Sequence, residues 1–182
     1  MCGKSKVVIL GKTYSGKLEF VSELMKLPFY SNSLLEIYTD NPEKADTLGY
    51  AYVDTDKLKK MERYEKIRRL YEHDGYLYGI KQKDIKYAKL AMVTTDMLSD
   101  YPEFRDFGTI FVNADETSHM KRISRIKDPV SREKMENLMV AEEKLYTLAN
   151  PEEYDIIIKE NTVSDPINLK NVVYYIQSIL RK

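Results

Sequence analysis

The stretch Val7-Val8-Ile9-Leu10-Gly11-Lys12-Thr13-Tyr14-Ser15-Gly16-Lys17 constrains this chain more than any other. Lys6 to Leu10 is a short β-branched and aliphatic run, the pattern of a buried strand. Gly11 to Gly16 is a turn with glycine at each end. From Lys17 the apolar positions recur at helical spacing through Leu18-Glu19-Phe20-Val21-Ser22-Glu23-Leu24-Met25. Strand, glycine-bounded loop, lysine and helix together form a phosphate loop. Backbone N–H groups of such a loop, and of the helix it opens, converge on one spot and favour an anion there. Lys17 adds a mobile positive charge for the outer phosphates. Gly11, Lys12, Thr13, Tyr14, Ser15, Gly16, Lys17 and Leu18 are therefore the candidate nucleotide-phosphate residues. The pattern G-x-x-x-x-G-K-[ST] is met at seven of its eight positions. At the eighth, Leu18 stands where a hydroxyl would hold magnesium, so a metal there needs water, phosphate oxygens or another side chain such as Ser15, Thr13 or a distant Asp.

The rest of the chain alternates strands and helices. Turn signals at Ser31-Asn32-Ser33 and Asp40-Asn41-Pro42 precede a strand-like Tyr50-Ala51-Tyr52-Val53. The spacing predicts a helix from Thr55 to Leu70, capped by Asp54 or Thr55 and rich in Lys and Arg. That basic run reads either as a solvated face or as a lobe facing phosphate. Tyr76 to Ile80 reads as a strand and Asp84 to Lys89 as a short helix. Leu90 to Asp96 reads as a second buried strand with Asp96 at its C-terminal edge, where parallel sheets bind ligands. Asp96 is a candidate to organise hydrated magnesium or the acceptor phosphate, or else a helix N-cap. Gly108 to Val112 and Tyr154 to Ile158 are further core strands. Asp115, with Ser118 and His119 behind it, starts a helix. Ser131 restarts helix after Asp128-Pro129, and its amphipathic pattern runs through Met135, Leu138, Met139, Leu145 and Leu148 to Asn150-Pro151. A last helix covers Ile167 to Leu180. This order predicts a mostly parallel sheet covered on both faces. Around the break at Asp128-Pro129, Arg122, Arg125, Lys127 and Arg132 gather positive charge. Phosphoryl transfer needs such charge under a closing flap, since the transferring group must be neutralised away from water.

Composition narrows the class. The chain has 182 residues, 43% hydrophobic and 32% charged, enough for one domain with a core and small inserted lobes. Lys+Arg and Asp+Glu both total 29, so no global field draws it to nucleic acid or an anionic membrane. The single cysteine, Cys2, permits no intrachain disulfide, and two distant histidines with one cysteine argue against structural zinc. No apolar run is long enough to cross a bilayer or to serve as a secretory leader, so a cytoplasmic protein is expected. There is no internal repeat. The 15 tyrosines, without a tryptophan, offer stacking surfaces for a base as well as packing.

The order of parts resembles the guanylate kinases, within the nucleoside monophosphate kinase group, over nearly the whole chain. Tyr50-Ala51-Tyr52-Val53-Asp54 is similar to the family's Tyr-x-Phe-Val-Ser. Glu72-His73-Asp74-Gly75-Tyr76-Leu77-Tyr78-Gly79-Ile80 is similar to its Glu/Gln-x-x-Gly-Asn-Tyr-Tyr-Gly-Thr. Thr94-Thr95-Asp96 matches its Asp-x-Asp, Arg122 and Arg125 its lid arginines, and Tyr154 to Ile158 with Asn161 its last core strand. The resemblance implies an α/β fold of three α/β/α layers, a P-loop kinase fold with a five-stranded, mostly parallel sheet. It implies a single domain over 1–182, with a core of 1–30 and 81–182, a monophosphate-binding insert at 31–80 and a lid at about 121–137. It further implies ATP and magnesium as cofactors and GMP as acceptor, in a monomer or homodimer that binds small nucleotides and neither nucleic acid nor membrane. Lys17, Arg122, Arg125 and Asp96 would be catalytic, and Tyr50 and Tyr78 would place the monophosphate. The family's guanine-reading glutamate falls nearest Arg69 without gaps, with Glu72 the neighbouring acid. The sequence departs from the family at Leu18, at Tyr14 in place of a loop glycine, at Ile80 and at Asn137. It departs most at Thr39-Asp40-Asn41-Pro42-Glu43, where Asp40 and Glu43 replace the acceptor-phosphate arginines. Lys44, Arg63 and Arg69 are the cations nearby. Two functions follow: an active nucleoside monophosphate kinase, or a module of the same fold that binds a nucleotide or protein without catalysis. No Asn-Lys-x-Asp stretch supports a regulatory GTPase.

Overall fold

The computed structural model describes residues 6–12, 15–73, 75–113, 116–133, 135–137, 140, 154–159 and 166–180. Thr13, Tyr14, Asp115, most of the expected helix up to Leu148, and Asn161 lie outside them.

The first sheet is built around β1 (Lys6–Gly11), with Val7, Val8, Ile9 and Leu10 fully buried. It pairs in parallel with β6 (Leu90–Met92) on one side and β7 (Phe107–Asn113) on the other; β7 in turn pairs in parallel with β8 (Ile156–Lys159). Alternate residues of β1 enter different cores. Val7 and Ile9 pack with Phe20, Val21 and Leu24 of α1 (Lys17–Met25) and with Leu169, Val173 and Ile176 of the last helix, α6 (Pro166–Leu180). Val8 and Leu10 face Ile85, Met97, Tyr101 and Phe104. A sheet covered on both faces needs a continuous apolar run, which Lys6 to Leu10 supplies. The described strands number four, in the order β6-β1-β7-β8, and Leu34 adds one parallel bridge to Leu90 outside β6. At the start of β8, the Asp155 carboxylate accepts from the Thr109 amide (2.7 Å) and hydroxyl (3.0 Å), which fixes that edge in register.

The second sheet draws all its strands from within 31–80. Its order is β3 (Tyr50–Tyr52), β2 (Ile37–Thr39), β5 (Tyr76–Gly79), β4 (Tyr71–His73), parallel between β2 and β3 and antiparallel elsewhere. One face packs on α2 (Thr55–Arg63) through Val53, Leu58, Met61 and Ile67, joined by Tyr38, Leu70 and Leu77. Asp54 caps α2, its carboxylate accepting from the Lys57 amide at 2.9 Å. The opposite face carries Tyr50, Tyr71, Tyr76 and Tyr78 toward the core of the first sheet. Gly79 allows Ile67 to close over the sheet, because a Cβ there would lie 2.8 Å from an Ile67 methyl.

Three expectations are corrected. The helix expected over 55–70 ends at Arg63, because Glu65 takes a left-handed conformation (φ 56°) and the Lys66 and Ile67 amides return to the Met61 carbonyl. That reversal buries Ile67 in the small core. The strand expected to reach Asp96 stops at Met92; Thr94, not Asp96, caps α4 (Thr95–Asp100), accepting from the Met97 amide at 3.4 Å. The helix after the basic break restarts at Pro129 rather than Ser131, with Asp128 as its cap. Between these lie α3 (Gln82–Tyr87) and α5 (Glu116–Ile123).

Candidate functional site

The phosphate loop leaves the C-terminal end of β1. The Ser15 amide donates to the Lys12 carbonyl at 3.1 Å and closes the turn. Gly16, at φ 87°, occupies the N-cap of α1 in the left-handed region, and no side chain caps the helix. The amides of that first turn thus face the loop without a competing side-chain acceptor, the arrangement that binds an anion. Lys17 folds back across the loop, its Nζ donating to the Gly11 carbonyl at 2.6 Å. Gly11 must lack a side chain, since a Cβ would sit 2.7 Å from both the Val112 carbonyl and Ser15 Oγ. That same closeness places the Ser15 hydroxyl against Gly11, where it is fully buried and has no hydrogen-bond partner among the described residues. Leu18 is 37% exposed. Among the described loop residues neither position offers magnesium an open ligand: position 18 is hydrocarbon, and the Ser15 hydroxyl lies enclosed against Gly11.

The catalytic candidates beyond the loop occupy separate elements. Asp96 lies in the first turn of α4 and Arg122 in α5. Arg125 follows the end of α5 and is exposed. The break that follows is held by its own residues. Asp128 accepts from the Ser131 amide (2.8 Å) and hydroxyl (2.5 Å), and these bonds, the hydroxyl's chiefly, hold its carboxyl below the usual range. Arg132 spans the break, donating through Nη2 (2.6 Å) and Nε (3.1 Å) to the Ile126 carbonyl. Arg132 is therefore occupied by the fold, whereas Arg125 makes no hydrogen bond or ion pair among the described residues.

On the second sheet, Tyr50 and Tyr78 come together edge to face, 6.4 Å between ring centroids. Both pack against the core that β1 builds: Tyr78 is buried in the cluster of Val8 and Leu10, with Tyr50 against its margin. Burial, then the neighbouring Tyr78, pushes the Tyr50 phenol up to about 12. Two residues complete the group. Asn41 Nδ2 donates to the Tyr78 hydroxyl at 3.1 Å, and Lys44 Nζ stands 5.4 Å from the centre of the Tyr50 ring. Of the three nearby cations, Lys44 is the one this cluster contains. Arg63 ends α2 in solvent. Arg69 pairs with Asp100 (2.8 Å) and lies over Tyr71. Asn41 is legible in sequence only as part of a turn signal; its membership follows from that turn, in which its own Oδ1 accepts from the Glu43 amide.

Asp40, where a cation was expected, has a structural role. Its Oδ1 accepts from the Leu77 amide (2.7 Å) and its Oδ2 from the Thr55 hydroxyl (2.7 Å), joining β5 to the start of α2. Glu72 pairs with Leu77 across β4 and β5 and so shares the α2 side of the sheet, opposite Tyr78. Arg69 belongs to the joint between the sheets. There Arg68 donates to the Asp100 carbonyl and to Glu103, Tyr71 donates to Asp100 at 2.9 Å, and Gln82 donates to Glu103 at 2.7 Å.

Comparison with known proteins agrees with this architecture. The guanylate kinase from Anaplasma phagocytophilum superimposes with a TM-score of 0.57 at 13% identity, over 100% of this chain and 90% of that one. The shikimate kinase from Bacteroides thetaiotaomicron superimposes at 0.51 with 14% identity, over 97% and 98%. No family model and no curated protein sequence matches the chain. The class is therefore an α/β fold of the P-loop kinase type, with a parallel sheet and a phosphate loop on its central strand. Among the described residues no helix is long and apolar enough to cross a membrane.

Proposed function

We propose that this chain transfers the terminal phosphoryl group of ATP to a nucleoside monophosphate, with GMP the acceptor that the resemblance implies. The observation that carries this is the phosphate loop at the end of a buried parallel strand, with Lys17 folded over it. In this reading the loop amides and Lys17 hold the outer phosphates of the donor. Arg122 and Arg125 close over the transferring group, and Tyr50, Tyr78 and Lys44 receive the acceptor phosphate. The protein performs little covalent chemistry in such a reaction; positioning and charge neutralisation carry it. Bound magnesium would supply further charge neutralisation at the phosphates, but position 18 offers it no ligand. Asp96, in the first turn of α4, would orient water or the acceptor phosphate, and neither Arg69, held by Asp100, nor Glu72, on the α2 side, is assigned to reading the base.

A second reading has its own support. Leu18 in place of a hydroxyl and Asp40 bound into the fold are what a nucleotide-binding module without catalysis would carry. A coupled phosphoryl-transfer assay with ATP and magnesium against GMP, dGMP, AMP, CMP and UMP separates the two. The kinase reading expects turnover on one acceptor and a fall of about 10²–10³ in kcat for Lys17→Ala, the scale for removing a transition-state donor. Folded protein inert on all five, yet binding ATP by calorimetry, would replace it with the binding module.

A further inference from the structure

The turn that leaves β2 fixes which way one buried hydrogen bond runs. Thr39 stands opposite Tyr78 across β2 and β5, so their side chains share a face of the sheet. Asp40 is drawn the other way, to the Leu77 amide and Thr55, and Asn41 returns to the Tyr78 face. Asn41 is 5% exposed, with all its polar atoms engaged. Its amide donates to Thr39 Oγ1 at 3.1 Å, and its carbonyl accepts from the Lys44 amide at 3.1 Å. Its Oδ1 accepts from the Glu43 amide at 2.9 Å, and its Nδ2 donates to the Tyr78 hydroxyl at 3.1 Å. The Glu43 bond decides how the side-chain amide faces, because a backbone N–H only donates and so requires the oxygen. The nitrogen is thereby turned to Tyr78. It too only donates, so the phenol oxygen accepts and keeps its own proton for another partner. Among the described residues nothing accepts that proton. The turn alone does not call for asparagine: aspartate would meet the Glu43 amide equally well. The second oxygen of an aspartate, however, would take the phenol's proton.

We propose that Asn41 is a positioning residue that makes the Tyr78 phenol a committed hydrogen-bond donor to the acceptor's phosphate. This rests on the monophosphate reading above and goes beyond it, by naming the residue that sets the polarity of the site. A phenol free to rotate offers a ligand either its lone pair or its proton, and binding must then turn it. Tyr78 is turned beforehand, which lowers the cost of ordering it on binding. An ionised phosphate oxygen suits such a donor, and the bond formed is charge-assisted. A ligand ammonium, which has only protons to give, is refused.

Calorimetric titration of GMP, dGMP, AMP, CMP and UMP into the full-length chain tests this with Asn41→Ser, Asn41→Asp, Tyr78→Phe and the two double variants. Asn41→Ser keeps an oxygen for the Glu43 amide and removes the donor. It should weaken every monophosphate that wild type binds by about tenfold, about 1.4 kcal/mol, the scale of one hydrogen bond to a charged group. In turnover, KM for the acceptor should rise by the same factor with kcat nearly unchanged. In the Tyr78→Phe background the same substitution should cost less than about twofold, since its effect passes through the phenol. A purely structural role would persist there. Asn41→Asp preserves the turn and takes the proton, so it should weaken binding more than Asn41→Ser, and that loss should also shrink in the Tyr78→Phe background. It decides the matter if Asn41→Ser does not fold. Folded variants that bind like wild type overturn the proposal, as does a loss undiminished without the phenol. Wild type that binds none of the five overturns the monophosphate reading itself, a result distinct from binding that ignores Asn41.

Discussion

The sheet around β1 and the sheet around β2 each contain four described strands, and they are held by different means. The first buries unbroken aliphatic runs between helices on both faces, so its stability is mainly hydrophobic, with the Asp155–Thr109 bonds confined to its β8 edge. The second has strands of three or four residues, a small core of Val53, Leu58, Met61 and Ile67, and a face of tyrosines. It depends on specific hydrogen bonds, above all the two that Asp40 accepts. The difference explains why a carboxylate stands where a phosphate-binding cation was expected. A lobe with so little apolar surface gains more from joining β5 to α2 than a thicker lobe would.

Paired substitutions test that contrast most strongly. Ile9→Ala should cost about 2–5 kcal/mol and lower the whole unfolding transition, as a large-to-small change in a close-packed core does. Asp40→Ala should cost about 1–3 kcal/mol through the amide and hydroxyl left unmatched. Its increase in hydrogen exchange should be confined to residues 37–80. Global loosening from Asp40→Ala would show that the two sheets do not differ in this way. A smaller effect is expected at the acceptor side. Lys44→Met should raise KM for the acceptor about tenfold, about 1.4 kcal/mol, with kcat nearly unchanged. An unchanged KM would remove Lys44 from the acceptor cluster.

The smallest effect is a pH dependence weighted to the second sheet, which holds three raised phenols, while burial also raises Tyr101 in the β1 core. Burial, with Asp84 and Glu36 beside it, raises the Tyr38 phenol; burial, with Asp100 beside it, raises Tyr71; and Tyr50 lies at about 12. A raised phenol favours the folded, neutral form. Its contribution is complete below the ordinary value of about 10 and is lost as pH rises through the folded one. Tyrosine absorbance followed with amide NMR between pH 9 and about 12 should show ionisation and local unfolding at 37–80 before the β1 sheet responds. Simultaneous loss of both sheets would contradict it.

The same contrast governs what could be read from sequence. β1, its loop and α1 were legible because glycine and lysine punctuate an uninterrupted apolar run, and the hydrophobic period changes across them. β2 and β4 were not: Ile37-Tyr38-Thr39 and Tyr71-Glu72-His73 are too short and too polar for any period to emerge, and pairing alone makes them strands. The end of α2 was hidden because a glutamate, not a glycine, takes the left-handed turn. Of the candidate site, the Tyr50–Tyr78 pair could be named from motif resemblance, whereas Asn41 and Lys44 join it only through the fold of the turn that follows β2. Glu72 shows the converse. It stands in the motif itself, and strand alternation puts it on the α2 side, away from Tyr78.

The joint at Asp100 has a mechanical consequence. One carboxylate oxygen there accepts from both Arg69 and Tyr71, while the adjoining carbonyl accepts from Arg68. These contacts tie the chain entering the second sheet to the helix that follows β6. The joint therefore adds a polar tie beside the apolar core that the two sheets share, and its half-exposed ion pairs make that tie the part of the connection that added salt would weaken.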